Sequence, residues 1–177
     1  MSRNREIADI LKNMGTLLEI RGDIIFKIRA YYKASDNLKN LSEDVAVLSE
    51  EGRLKEVAGI GKTIQEKIEE YLKTGKMSAY EKLTKEIPAT LLDVTAIPSV
   101  GPKKAKLFYD ELKVKDVPSL LKAAEKGKLL DLPGIKDKTV ENIIKGIKVF
   151  QQGQDRMNLG AATKLAREII GELAKIK

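Results

Sequence analysis

A short pattern that occurs three times limits what this chain can fold into more than any other feature of its sequence. Each copy reads apolar residue, small residue or proline, glycine or serine, apolar residue, then glycine or lysine, and an amphipathic helical pattern follows it. The copies are Val57–Thr63 (VAGIGKT), Ile97–Lys103 (IPSVGPK) and Leu132–Lys138 (LPGIKDK). Their equivalent positions lie 40 and then 35 residues apart. Because the copies are short and varied, we predict tandem helical hairpins rather than a solenoid.

The rest of the chain also follows the period of helices. Apolar residues recur every three or four positions from Ile7 to Leu18, which predicts an amphipathic helix that Gly22 ends. Further helices are predicted from Asp23, as the cap, to Leu38, from Ser42 to Glu51, and from Lys62 to Lys73. No stretch shows a sustained strand alternation, so the predicted fold is all-α.

Interruptions in the pattern indicate where the chain divides. Pro88 interrupts the helical pattern near residues 85–90, and a polar stretch occupies residues 151–154. We expect a first helical domain over residues 1–86 with the first hairpin, and a second over residues 87–150 with the other two. A C-terminal helix is expected over residues 151–177.

Composition excludes several kinds of chemistry. The 177 residues include neither cysteine nor histidine, which excludes disulfides, cysteine-ligated zinc and a histidine general base. Lysine and arginine number 33 against 26 aspartates and glutamates, a net charge of +7 that favours a polyanionic partner. No apolar run approaches the ~20 residues of a membrane span. We therefore expect a cytoplasmic protein, associated with the nucleoid if prokaryotic, whose partner is DNA and not a membrane.

The repeated turn has a physical reason to bind phosphate. Glycine lets the backbone turn sharply, and the N–H groups at the start of the next helix form an anion site that nearby lysines reinforce. The alternative is a tight turn beside ordinary solvated lysines, but three copies with lysine in the same place favour phosphate binding. The residues expected to take part are Gly59, Gly61, Lys62, Gly101, Lys103, Lys104, Gly134 and Lys138.

The three copies are not expected to bind equally well. The first keeps both glycines, so we rank it as the best phosphate site. Ser99 replaces the first glycine of the second copy, and Lys136 replaces the second glycine of the third. The third copy is therefore ranked last, as the one of the three that most favours a role in packing only.

These segments resemble the N-terminal part of family X DNA polymerases. Residues 57–76 (VAGIGKTIQEKIEEYLKTGK) closely resemble the hairpin and following helix of the lyase domain, and residues 27–34 (KIRAYYKA) its second helix. Residues 97–105 resemble the hairpin of the next, duplex-binding domain, and residues 132–147 (LPGIKDKTVENIIKGI) an extra hairpin of prokaryotic members. The likeness extends from about residue 5 to residue 175, and we expect an archaeal source.

The polymerising palm of that family, with its Asp-x-Asp metal pair, has no counterpart here. The chain contains no Asp-x-Asp, and two-metal phosphoryl transfer needs such clustered carboxylates. We therefore expect no polymerase activity from this chain alone. It is either a fragment of a longer parent chain that carries a palm or a natural protein without one.

The resemblance implies a 5′-deoxyribose-phosphate lyase that acts through a lysine Schiff base. By position the nucleophile is Lys67, with Tyr31 and Glu66 beside it. Such a lysine needs burial or nearby cations to be neutral at working pH. The phosphate-side residues implied by the same positions are Phe26, Lys27, Lys55 and Thr63. Thr63 and Ala79 stand where the family has lysines and Phe26 where it has a histidine, so weaker capture of the 5′-phosphate is expected.

The resemblance also implies a monovalent cation, Na⁺ or K⁺, at two of the hairpins, with no other cofactor required. Its ligands would be backbone carbonyls of Lys55, Val57 and Ile60 in the first hairpin and of Thr95, Ile97 and Val100 in the second.

Three functions remain open at this point. The implied partner is gapped, nicked or abasic DNA, bound on the 5′-phosphate side in base excision repair. The alternatives are a non-catalytic module that positions a polymerase on gapped DNA, and a protein-binding scaffold of helical hairpins. If Lys67 is an ordinary solvated lysine, only the alternatives survive.

Overall fold

The computed structural model describes residues 3–154, in which all regular structure is helical. This confirms the predicted all-α fold. The helices are α1 (Arg3–Arg21), α2 (Ile25–Lys39), α3 (Val45–Glu50), α4 (Lys62–Thr74), α5 (Ser78–Glu86), α6 (Leu91–Ala96), α7 (Pro102–Leu112), α8 (Val117–Glu125) and α9 over residues 137–154, with a 3-10 helix at Leu54–Glu56. Within this range no helix is long and apolar enough to cross a membrane.

Two of the four predicted helices begin later than predicted. Gly22 ends α1 with φ of 93°, and α4 ends before Gly75 with φ of 70°, both near the predicted places. Asp23 is not a cap: α2 begins at Ile25, and the carboxylate of Asp23 binds cationic side chains instead. The third helix begins later than Ser42, because the carboxylate of Asp44 accepts a 2.8 Å hydrogen bond from Ala46 N–H and starts α3 there.

Helix α1 is the element around which the others pack. It contacts α2, α3 and α5 on one side of the predicted domain boundary and α6 and α7 on the other. Its apolar stripe, which includes Ile7, Leu11 and Leu17, is completely buried in a core that also contains Leu91 and Phe108. Helices from both halves therefore share one hydrophobic core, and the division at residue 86 stays a prediction.

All three repeated segments form the same turn. The third residue of each has a left-handed backbone, with φ of 87° at Gly59, 69° at Ser99 and 77° at Gly134. Ile60 N–H donates to the carbonyl of Val57 at 3.0 Å, and the equivalent bonds of the second and third turns measure 2.9 and 3.3 Å. The sequence repeat is thus a structural repeat, although serine replaces glycine in the second copy.

The hairpins are held in place by helix contacts. In the first, a Cβ on Gly59 would lie 3.0 Å from Lys33 Cγ and 3.2 Å from Ala34 N, so this turn packs directly on α2. In the second, a Cβ on Gly146 of α9 would lie 2.7 Å from Pro98 Cδ. The last helix therefore fixes the second hairpin. The predicted helix over residues 151–177 is described only to residue 154, and its remainder lies outside the described residues.

Candidate nucleic-acid interface

The first hairpin presents an open helix start to solvent. Gly61 precedes α4 with an ordinary extended backbone, φ of −84° and ψ of 172°, and a Cβ there would meet nothing within 4 Å. Lys62, the first residue of α4, is exposed. Ile60 is 4% exposed and anchors the turn in the core. The free N–H groups of this helix end can therefore receive a phosphate, with Lys62 beside them.

The second hairpin also has an open helix start, but its two lysines have different roles. Gly101 has nothing within 4 Å of a Cβ position, and Pro102 opens α7. Lys103 is exposed next to this helix start. Lys104, also expected to bind phosphate, is partly buried, and its Nζ donates to the carbonyl of Ser99 at 2.9 Å. In this structure Lys104 therefore stabilises the turn, and Lys103 is the lysine that stays exposed beside the helix start.

The third hairpin is as open as the other two. Gly134 has no neighbour within 4 Å of a Cβ position, and Lys136 and Lys138 are exposed. Because neither Gly61 nor Gly101 uses a positive φ, a lysine at the equivalent position costs the turn nothing. The replacement of the second glycine by Lys136 is therefore no reason to expect weaker phosphate binding from the third copy. What distinguishes it is Asp137, which brings a negative charge to the first turn of α9.

The carbonyls expected to hold a monovalent cation already take part in the turns. Val57 and Ile97 each accept a hydrogen bond, from Ile60 and Val100 N–H. A carbonyl oxygen has two lone pairs, so each keeps one for a cation. These residues fit an oxygen-ligated Na⁺ or K⁺ to that extent, and the site itself stays a prediction. The carbonyls of Lys55 and Thr95 belong to the 3-10 helix and to α6, just before the two turns.

Lys67 lies in a cavity between α1, α2, α4 and α5, which we call the lysine pocket. Its volume is about 290 Å³. It is lined by Met14, Leu18, Arg21, Lys27, Tyr31, Thr63, Lys67, Ala79, Lys82, Leu83 and Glu86. The structure thus brings together the predicted nucleophile Lys67 with Lys27 and Tyr31. Thr63 and Ala79, where the resemblance predicts lysines, line the same cavity.

Burial of the neighbouring apolar residues places Lys67 at this cavity. Ile64 and Ile68 of α4 are 5% and 0% exposed and fix the orientation of the helix. Glu70, one turn beyond Lys67, accepts a 3.2 Å hydrogen bond from Ser78 N–H and a bond from its hydroxyl, which attaches α4 to the start of α5. Both helices that form this wall are therefore held by contacts outside the cavity.

The surroundings of Lys67 shift its titration to lower pH. Burial lowers the pKa of its amine, and the positive charge of Lys27 lowers the pKa further, against the opposing effect of Glu66 and Glu70. Its Nζ donates to the carbonyl of Thr63 at 3.0 Å. A larger fraction of neutral amine is what a nucleophilic lysine requires.

Of the two aromatic residues predicted for this site, one is buried and the other is exposed. Tyr31 is 4% exposed, and burial, followed by the charge of Asp23, raises the pKa of its hydroxyl. Tyr31 is therefore a neutral donor at physiological pH. Phe26 is 78% exposed at the start of α2, beside exposed Ile24 and Ile25, where a ring is free to stack on a base.

Two other predicted residues lie outside the pocket. Lys55 is exposed on the 3-10 helix before the first hairpin, and Glu66 is exposed on α4. Neither lines the cavity. Glu66 influences Lys67 through its charge and not as part of the wall.

Comparison with known proteins agrees with the repeated helical hairpins. Residues 2–77 match a family described as helix-hairpin-helix domain, and residues 91–148 match one described as SAM-like helix-hairpin-helix tandem. The chain is 34% identical over 171 residues to DNA polymerase/3′-5′ exonuclease PolX of Bacillus subtilis strain 168. The chain corresponds to the helix-hairpin-helix region of family X DNA polymerases. The match covers 97% of this chain and 30% of the Bacillus protein.

Three charged residues of this family X region were missed by the sequence analysis. Arg21, Lys82 and Glu86 all line the lysine pocket. Lys82 follows Ala79 by three residues on α5, so the spacing of one helical face is a signal that could have identified it. Arg21 and Glu86 carry no such signal, because they meet only through the packing of α1 against α5.

Proposed function

We propose that this chain binds gapped, nicked or abasic DNA and removes a 5′-deoxyribose phosphate through a Schiff base on Lys67, as part of base excision repair. The two helix-hairpin-helix matches and the Bacillus relative support DNA binding as part of a family X polymerase. The observation that carries the lyase assignment is a lysine of lowered pKa in a cavity lined by further cations and a buried tyrosine.

The chemistry follows from a neutral Lys67. Its Nζ attacks the C1′ aldehyde of the ring-opened sugar, and loss of water gives a protonated imine. Removal of a C2′ proton then breaks the C3′–O3′ bond and releases the downstream strand with its own 5′-phosphate. Water hydrolyses the remaining imine and restores the amine. The lowered pKa of Lys67 assists the first step, since only the neutral amine has a free electron pair.

The hairpins bind DNA without reading its base sequence. Their open helix starts, with Lys62, Lys103 and Lys138 beside them, bind phosphates and contact no base edge. A monovalent cation on the hairpin carbonyls would add one more contact to phosphate. The Bacillus relative is more than three times as long as the segment matched here, and we propose that a polymerase palm on a longer parent chain completes the repair step.

A non-catalytic role in positioning a polymerase is the second candidate. One observation favours it: Thr63 and Ala79 line the pocket where the resemblance predicts lysines. Fewer cations around the sugar phosphate would leave a module that holds gapped DNA without forming the imine.

Borohydride trapping on an incised abasic duplex separates the two candidates. We expect a covalent protein–DNA adduct with the unmodified chain, no adduct with Lys67→Ala, and unchanged DNA affinity in both. Lys73→Ala is the matched control, because Lys73 is exposed on the same helix and lies outside the pocket. No adduct from the unmodified chain would support the positioning role. An undiminished adduct from Lys67→Ala would exclude Lys67 as the nucleophile.

A further inference from the structure

We propose that Arg21 binds the terminal 5′-phosphate in the lysine pocket and that the carboxylate of Glu86 occupies the phosphate position in the free protein. This inference rests on the proposed function and adds a binding residue and a built-in competitor to it. The ligand class is a phosphate monoester at a strand end, recognised by charge and by the planar guanidinium.

Asp23 fixes the guanidinium of Arg21 in one orientation. Arg21 Nε donates to Asp23 Oδ1 at 2.6 Å, and Nη2 donates to Asp23 Oδ2 at 2.9 Å. Asp23 Oδ2 also accepts from Lys27 Nζ at 2.8 Å. The side chain of Asp23 is only 14% exposed, so this two-bond contact is largely shielded from solvent and fixes Arg21, which lines the pocket. It leaves Nη1 as the guanidinium nitrogen directed to another partner.

Glu86 is the partner of Nη1, and it is held much more loosely. Its carboxylate accepts from Nη1, yet its side chain is 55% exposed at the pocket edge. Exposed ion pairs contribute little to stability because solvent screens them. A phosphate monoester has about twice the charge of a carboxylate and more acceptor oxygens, and it matches the guanidinium fork. The phosphate can therefore displace Glu86 from Arg21 while the contact with Asp23 remains.

The charges around the cavity support this exchange. Besides the proposed nucleophile Lys67, its lining contains three cationic side chains, Arg21, Lys27 and Lys82, and one anionic side chain, Glu86. Lys82 and Glu86 are four residues apart on α5, so they share a helix face. Arg21 and Lys82 supply the positive charge that Thr63 and Ala79 lack. Once Glu86 swings out into solvent, these three cations face one anionic ligand.

The test compares the affinity of the full chain for two DNA duplexes with a one-nucleotide gap. They differ only in a 5′-phosphate or a 5′-hydroxyl at the gap, and the ratio of their dissociation constants measures phosphate preference. Glu86→Gln should raise this preference about two- to fivefold, because the competing charge is gone. Arg21→Gln should lower it by about tenfold or more, since a charge-assisted contact is lost.

Two controls make the same charge changes outside the pocket. Glu81→Gln lies on α5, and Arg29→Gln lies on α2, and both residues are exposed and do not line the cavity. They are expected to change the affinity for both duplexes equally and to leave the ratio unchanged. Arg21→Lys, which keeps the charge without the fork, replaces Arg21→Gln if thermal unfolding shows that the latter does not fold.

The outcomes separate this inference from the proposed function. If the unmodified chain prefers the 5′-phosphate but Glu86→Gln matches Glu81→Gln, Glu86 is not a competitor and the inference is wrong. The same holds if the Arg21 variants match Arg29→Gln. If the unmodified chain shows no phosphate preference and forms no trapped adduct, the proposed function fails together with this inference.

Discussion

Lys67 is influenced by charged neighbours that act in opposite directions. After burial, Lys27 lowers the pKa of its amine, whereas Glu66 raises it. Removal of a nearby positive charge raises a lysine pKa, so Lys27→Gln should move the pH dependence of adduct formation to higher pH. Glu66→Gln should move it to lower pH. Initial rates of borohydride-trapped adduct at saturating DNA, measured across pH, check both directions.

A loss of adduct in Glu66→Gln at every pH would instead place Glu66 in the chemistry. The exposed position of Glu66 outside the pocket argues against that result.

Ser99 is a second residue for which the structure makes a specific prediction. Its φ of 69° lies in the left-handed region, which costs a residue with a Cβ roughly 1–2 kcal/mol. Ser99→Gly is therefore expected to raise the free energy of unfolding by about 1 kcal/mol, as measured by urea denaturation. Ser99→Ala keeps the Cβ and serves as the control. Equal stability of the glycine and alanine variants would show that the turn is not strained.

The sequence indicated which residues lie close together where a motif aligned them, but it did not do so where distant packing decided. Lys27, Tyr31 and Lys67 were identified because contiguous segments resemble the lyase domain, and they line one cavity. Asp23 has the local signature of a helix cap, but two bonds from Arg21 hold its carboxylate and lower its pKa to about 2. A local cap preference of about 1 kcal/mol does not prevail over such a pair.

The two glycines of the first hairpin have different physical roles. Gly61 has φ of −84° and open space around a Cβ, so Gly61→Ala fits the fold; the gain from a less flexible unfolded chain is offset by the poorer N-cap, and the free energy of unfolding should change by less than about 1 kcal/mol. The variant should nevertheless weaken binding to gapped DNA, because the methyl group stands where a phosphate approaches the helix start. Urea denaturation and DNA titration of the same variant measure the two effects.

Gly59→Ala is the contrasting variant, and it should destabilise the fold because of its φ of 87° and its contact with α2. Lys136→Ala in the third hairpin is expected to weaken DNA binding less than Gly61→Ala does. A larger loss of DNA binding in Lys136→Ala than in Gly61→Ala would mean that the third hairpin, despite Asp137, is the principal phosphate site.

The repeat itself was predictable because its information is local. A left-handed third residue and an apolar residue on either side of it are sufficient to form each turn, and these positions are visible in the sequence. The role of the second glycine was not predictable, since glycine is used there for open space and not for a positive φ. Only the three-dimensional structure distinguishes a glycine that needs a positive φ from one that needs open space.

At the scale of the whole molecule, α1 couples the two predicted domains. It packs against α2 and α5 and also against α6 and α7, so the first and second hairpins are held on one framework. Sequence patterns report which face of α1 is apolar but not which helices cover it. Only 5% of the residues are aromatic, and the buried core is accordingly mostly aliphatic.

The same framework determines how DNA binding should depend on salt. With a net charge of +7 and three open helix starts, the chain should neutralise several phosphates at once. The logarithm of the binding constant should then fall by about 0.9 per neutralised phosphate against the logarithm of salt concentration. Lys62→Gln and Lys103→Gln should each reduce that slope by about 0.9, and the double variant by about twice as much.

Lys39→Gln is the matched control for this salt series. Lys39 of α2 is paired with Asp9 of α1 at 2.8 Å and does not stand at the start of a helix, so its loss should leave the slope unchanged. An equal reduction for Lys39 and Lys103 would mean that diffuse positive charge binds the DNA. Binding with little salt dependence would instead favour a scaffold for proteins. A reduction confined to the hairpin lysines, independent of base sequence, is the result that phosphate contacts at fixed helix starts require.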